Sequence, residues 1–329
     1  MGDRNQEQTQ SKNFFTPVLK WFGDYPIAFA VIGLCVIMSI MSSSFLSFNN
    51  IMNVLRQISM IAILAAGQFL VLVAGGIDIS LGSTVGLAGI VFSMGMVNWG
   101  MPPIVAALLA VLIGGVCGFF NGFQDAIVGI PPMIASLGTQ SVARGLTYVL
   151  TNAYPISGLP ESISFLGRGY LFSIPWPVII MLAVFLIIGF VSQKTKFGRF
   201  VYASGGNSEA AYLSGIKVKK VKITTYIIAG CLASLSGIIL VSRLASGQPN
   251  AGLGWEFEAV IAVILGGVSL AGGKGKIFGV LLGAILVGLL TNGMTLLNVN
   301  SYYQQIVKGL VLVFAVGLDI YQTRKRNKA

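Results

Sequence analysis

The chain has 329 residues, 55% hydrophobic and only 9% charged, with 42 glycines, and so little charge cannot cover the surface of a soluble domain of this size. Its 21 Lys and Arg against 10 Asp and Glu, a formal charge of +11, would suggest nucleic acid in a soluble protein; here the cations cluster between apolar stretches and at the C-terminus, where the Lys/Arg bias of membrane-protein loops accounts for them. Histidine is absent and Cys35, Cys117 and Cys231 all fall inside apolar stretches, which argues against a metal set, a proton relay or a disulfide framework.

The expected fold class is an all-α polytopic membrane protein. A polar segment, 1–25, precedes a transmembrane body, 26–320, and a basic tail, 321–329. The N-terminal segment has too long a polar lead, and no small-residue cleavage site, for a signal peptide. Its MG start lacks the Ser or Thr at position 6 of a myristoylation signal. About 20 apolar residues cross a bilayer. On that measure ten transmembrane helices are expected, near 26–41, 53–74, 81–97, 104–122, 127–150, 177–191, 223–242, 257–270, 277–297 and 303–320. The eighth is short enough to be broken or re-entrant and shielded by protein.

Between the sixth and seventh spans lies the longest hydrophilic run, 193–222, with seven Lys or Arg against one acid, Glu209. Inside it, Gly205 and Gly206 are expected to break the incoming structure. Asn207 is expected to cap a helix of about two turns through Ser208, Glu209, Ala210, Ala211 and Leu213, and Gly215 to stop it in the left-handed region. Glu209 in the first turn suits the helix dipole. A capped helix on a basic loop suits docking to a soluble partner; a solvated loop that only fixes topology is the bland alternative. Six spans before this loop and four after it put the loop, both termini and Lys274/Lys276 on the cytoplasmic side.

A weak internal repeat relates AGGIDISLGSTVGLAG after the second span to LGGVSLAGGKGKIFGV after the eighth. Interrupted helices at corresponding places point to a transport pathway; two tight glycine turns are the alternative. Gly114, Gly118 and Gly122 in the fourth span, and Gly279 and Gly283 in the ninth, have the spacing of close helix packing.

No catalytic set and no metal set is visible. GGVSLAGGKGK fails as a phosphate loop: five residues separate Gly267 from Gly273, and Lys274 is followed by Gly. Any nucleotide chemistry must then come from a partner. Polar side chains within or beside spans face the bundle interior because lipid penalises them, so Gln68, Asp78, Ser80, Asn121, Gln140, Arg144, Ser269 and Asn292 are candidates to line a translocation pathway. Asp78 could equally cap the third helix, accepting N–H bonds near Ser80 and Leu81. Arg56, Arg243, Glu256 and Glu258 are expected near outer span ends as a docking surface for an extracytoplasmic partner, with snorkelling of Arg144, Lys308 and the other cations as the plain alternative.

Several motifs in order, GGIDISLGS, GRFVYASGGNSEAAYLSGIKVKKVK, SRLASGQPNAG and NVNSYYQQIVKG, resemble the ribose-type permeases of bacterial ABC importers, over roughly residues 47–320. WEFEAV departs from the family's Tyr-Glu-Leu-Asp-like segment but keeps its acidic spacing. The resemblance implies a homodimer in the bacterial cytoplasmic membrane. It also implies a cytoplasmic ATPase carrying ATP and Mg, a sugar-binding protein outside, no cofactor on this chain, and 205–216 as the segment that couples to the ATPase. A stand-alone secondary transporter or facilitator is the competing class; it calls for an ion-coupling acid or histidine at the midplane, where only Asp78 comes close.

Overall fold

The computed structural model describes residues 27–326. The expected N-terminal segment 1–25 and the end of the basic tail lie outside the described residues. In chain order the helices are α1 Ile27–Met41, α2 Phe48–Val73, α3 Leu81–Val97, α4 Pro103–Phe123 with a π-turn Gln124–Val128, and α5 Pro132–Thr151. After a 3₁₀ turn at Glu161–Ile163 come α6 Ser164–Arg168 and a small antiparallel pair, β1 Tyr170–Leu171 with β2 Ile174–Pro175. Then follow α7 Trp176–Lys194, α8 Lys196–Gly206, α9 Ser208–Leu213, α10 Val218–Leu244, α11 Trp255–Leu265, α12 Ile277–Leu296 and α13 Ser301–Arg326. The chain is an all-α polytopic membrane protein. Five helices, α2, α4 with its π-turn, α7, α10 and α12, are long and apolar enough to cross a bilayer. The helix bounds follow the expected spans to within a few residues, although α1, α3 and α11 are shorter than a full crossing.

Local chemistry sets the helix starts. Ser47 caps α2 by accepting the Asn50 N–H at 3.4 Å. Proline stands in the first turn of α4, α5 and α7, where its missing N–H is no loss. Burial does not follow apolarity here: α2, the least apolar of the five long helices, is 83% buried over its apolar stretch, while the more apolar α4 is 22% buried and leaves the rest for lipid. α2 therefore forms the core, wrapped by α10, α11, α12 and α7, while α4 and α5 turn apolar side chains such as Leu108, Leu112 and Val149 outward.

Glycines weld α4 to α10. A Cβ on Gly118 would fall on the Tyr226 carbonyl, one on Gly114 on the Gly230 carbonyl, and one on Gly122 would come within 2.7 Å of Ile223 Cα. With no hydrophobic effect driving helices together in lipid, such backbone contact is the main adhesive. Gly118→Val is expected to lower stability by about 3 kcal/mol through overpacking. Its melting temperature in detergent should fall well below that of Gly138→Ala, which places a methyl in open space. Equal melting of the two would contradict the weld.

Two helices start inside the bundle. Every residue of α3 from Leu81 to Ser93 is buried. The chain reaches it by turning back after α2 through residues 74–80. At the opposite end of the bundle, the chain leaves α10 and dips back through 245–254 before α11 begins. With 11 residues, α11 rises about 16 Å, roughly half the hydrocarbon thickness. The expected short eighth span is thus a half-helix behind a re-entrant segment. The two Gly-Gly stretches likened in the sequence are turns that meet each other: a Cβ on Gly272 would lie 3.0 Å from Gly75 Cα.

Candidate functional site

The N-termini of α3 and α11 converge. A Cβ on Gly82 would fall on Glu256 Oε2 and on the Gly252 carbonyl, so only glycine admits this approach. Glu256 is 3% exposed and lies in the first turn of α11, with its carboxylate against the first turn of α3. Two helix N-termini thus present their positive ends to one carboxylate. Gln140 Nε2 of α5 donates to Glu256 Oε1 at 3.0 Å. Arg144, one turn further along α5, donates through Nη1 to the carbonyls of Pro249 and Ala251 at 2.8 and 2.9 Å, and through Nη2 to that of Gly82 at 3.4 Å. The planar guanidinium bridges carbonyls of both broken segments at once, which a lysine ammonium could not do. Gln140 and Arg144, both picked out from the sequence, therefore meet, and Glu256 joins them.

A second junction lies at the end of the bundle that carries the basic loop. α8 runs through Gly205 and Gly206 instead of breaking before them, and ends at Asn207. Close packing is the reason: a Cβ on Gly205 would fall on the Val73 carbonyl at the end of α2 and lie 2.8 Å from the Gly273 nitrogen. Gly273 N–H donates to that same Val73 carbonyl at 2.9 Å. Tyr202 Oη of α8 donates to the Gly275 carbonyl at 2.8 Å. One helix end is thus seated on both the turn that leads to α3 and the loop that leaves α11. Beyond it, Asn207 Oδ1 accepts the Ala210 N–H at 2.9 Å and caps α9, as its sequence implies. Gly215 follows at φ 82°, the left-handed stop. α9 stands clear, with Tyr212 70% and Leu213 79% exposed, while Ala211 packs inward.

The other candidates fall into separate places. Gln68, Asp78, Ser80 and Asn121 form one buried network with no more than 1% exposure each. Asp78 Oδ1 accepts the Ser80 N–H at 2.8 Å and the Ser80 hydroxyl at 2.7 Å, and Asn121 Nδ2 donates to both carboxylate oxygens at 3.0 and 3.1 Å. The Gln68 amide lies along the Asp78 main chain, donating to its carbonyl at 3.1 Å and accepting its N–H at 3.3 Å. The Asp78 carboxylate takes the Ser80 N–H just ahead of α3 but makes no side-chain cap of that helix, and Asn121 of α4 is a partner that local sequence could not supply. Ser269 sits in the loop after α11, where its Oγ accepts the Ala271 N–H at 3.3 Å. Asn292 exchanges amide hydrogen bonds with Asn50, at 3.1 and 2.9 Å, at the far end from the basic loop.

Glu256 and Glu258 are not on a docking surface. Both are buried, and Glu258 is ion-paired with Lys308 of α13. The re-entrant 245–254 carries them into the bundle, a path hydropathy does not reveal; the positive φ of Gly252 and Gly254 is its local signal. Arg56 and Arg243 do lie at the far end. Arg56 stacks on Tyr170 at 4.6 Å and donates to the Arg168 carbonyl at 3.2 Å, and Arg168 Nε donates to the Arg243 carbonyl at 2.7 Å. Arg168, not picked out from the sequence, completes this cluster of cations.

Comparison with known proteins gives the family of the chain. Residues 50–316 match the family described as branched-chain amino acid transport system / permease component. The chain is 44% identical to the ribose import permease protein RbsC of Bacillus subtilis (strain 168), over 95% of this chain and 97% of that one. It is 42% identical to the protein of the same name from Escherichia coli (strain K12), over 95% and 98%. The D-allose transport system permease protein AlsC of Escherichia coli (strain K12) is 35% identical over 96% and 97%. No solved structure matches the chain. The family match over residues 50–316 and identities of 44% and 42% over 95% of the chain place it in the branched-chain amino acid transport system permease component family.

Proposed function

We propose that this chain is the membrane permease subunit of an ATP-driven importer for a monosaccharide, ribose in the first instance. The observation that carries this is α9, a capped and exposed helix whose stem is seated on both broken segments. An ATPase gripping Tyr212 and Leu213 would displace α8, and Gly205 would pass that movement to 74–80 and 266–276 together. The resemblance to ribose and allose permeases supports a sugar as cargo.

In this reading the chain works as a homodimer in the bacterial cytoplasmic membrane, with both termini and the 193–222 loop in the cytoplasm. Hydrolysis of ATP with Mg takes place on the partner ATPase, and this chain needs no cofactor. A sugar-loaded binding protein docks on the opposite side against Arg56, Arg243 and Arg168. Gln140 and Arg144 are the pathway candidates that reach the midplane junction, while Gln68, Asp78, Ser80 and Asn121 hold the helix ends around it. Each partner drives the cycle only through its different affinity for the two states of the permease.

The test is ribose uptake into proteoliposomes with and without ATPase, binding protein and ATP. Uptake is expected to require all of them, and to vanish in the Glu209→Arg/Ala210→Arg double variant while membrane insertion stays normal. Uptake by the chain alone, indifferent to ATP and to the loop change, would favour the stand-alone facilitator.

A further inference from the structure

Two apolar grooves join end to end along the outer seam of α4 and α10. The first, about 570 Å³, lies at the basic-loop end, where Phe119, Ile127, Ile223 and Ile227 form its walls. Lys217, Lys219 and Lys220 also line it, at the start of α10. The second, about 480 Å³, continues along the seam past Leu108, Leu112, Gly115 and Val116, and shares Phe119 and Ile227 with the first. The nearby acid, Asp125, is taken by Lys222 at 3.3 Å. Lys217, Lys219 and Lys220 form no ion pair among the described residues. The N-terminus of α10, whose Ncap Lys217 makes no side-chain capping bond, adds its own positive end at the same place.

We propose that this seam binds an anionic phospholipid from the leaflet on the basic-loop side. The phosphate sits among Lys217, Lys219, Lys220 and the first turn of α10, and one acyl chain runs past Ile223 and Phe119 into the second groove. Basic pockets between transmembrane helices are suited to such headgroups. The grooves are apolar along α4 from Leu108 to Phe119 and along the first half of α10 from Ile223 to Cys231, two helices apolar enough to cross a bilayer, which favours a lipid over a soluble partner. A second copy seated here about a two-fold axis would set lysine against lysine. Occupancy would hold the start of α10, and with it the α9–α10 linker, against the membrane surface.

The test is native mass spectrometry of the purified full-length chain in detergent, titrated with dioleoyl phosphatidylglycerol, dioleoyl phosphatidylcholine or inorganic phosphate. Phosphatidylglycerol is expected to be retained over phosphatidylcholine, with the preference falling about fivefold per lysine replaced in a Lys217→Gln, Lys219→Gln, Lys220→Gln series. Gly115→Leu, which fills the second groove, should weaken retention of both lipids. The three lysines are exposed, so that series reads binding even where the glycine variant fails to fold. Equal retention of the two lipids, or a preference indifferent to the lysines, overturns the proposal. So does inorganic phosphate displacing phosphatidylglycerol at equal concentration, which would mark a free-anion site. A Gly115→Leu variant that loses dimers but keeps lipid assigns the groove to a second copy instead.

Discussion

Arg144→Met is expected to be among the most damaging single changes in the membrane body. It removes two short charge-assisted bonds to the Pro249 and Ala251 carbonyls and a longer one to Gly82, all inside the bundle. The stranded carbonyls cost about 3 kcal/mol in total, to be read as a fall in melting temperature in detergent. Glu256 is then left buried beside two helix N-termini without the nearby cation. Arg144→Met/Glu256→Gln should therefore be more stable than Arg144→Met alone, because the buried carboxylate left without its cation goes too. Arg144→Lys should recover little, since an ammonium cannot span three carbonyls. Melting of Arg144→Met within a degree of the parent chain, or a double variant worse than the sum of the singles, would remove Arg144 from its place as the tie between the half-helices.

Gly205→Val should uncouple α8 from the rest of the bundle. Its side chain would occupy the position of the Val73 carbonyl and break the Gly273–Val73 hydrogen bond. The overpacking costs about 1–3 kcal/mol, and the functional loss should exceed the stability loss. ATP-driven uptake is expected to collapse while the ATPase still binds, because α9 itself is untouched. Gly206→Ala is the internal control: its methyl would meet only Gly273 Cα, at 3.9 Å, and uptake should hold. Should both variants transport alike, α8 is not the route by which α9 reaches the half-helices.

The sequence made α2, α4, α7, α10 and α12 legible because each is a long apolar run, and it made α9 legible because capping is local: Asn207 needs only Ala210, and Gly215 needs only its own φ. The shortness of the eighth span was legible as the mark of a broken or re-entrant helix; the path that leads into it was not. Residues 245–254 look like an ordinary loop unless one knows that Arg144, more than a hundred positions earlier, satisfies their carbonyls. The same blindness placed Glu256 and Glu258 outside, since their partners Gln140 and Lys308 come from other helices. Gly205 and Gly206 read as breakers from propensity alone, yet close contact with Val73 and Gly273 keeps them helical. Asp78 was half legible: Ser80 is two residues away, and Asn121 is not.

The shortness of α11 also constrains how the protein is made. Its 11 residues cannot hold a place in the bilayer as a stop signal of their own. They fit only as one arm of a pair, because Gly283 and Gly279 of α12 close directly on Ala262 and Gly266. The stretch from the end of α10 to the end of α12 is therefore expected to enter the bilayer as a single unit. Its re-entrant carbonyls wait there for an arginine that entered the membrane long before.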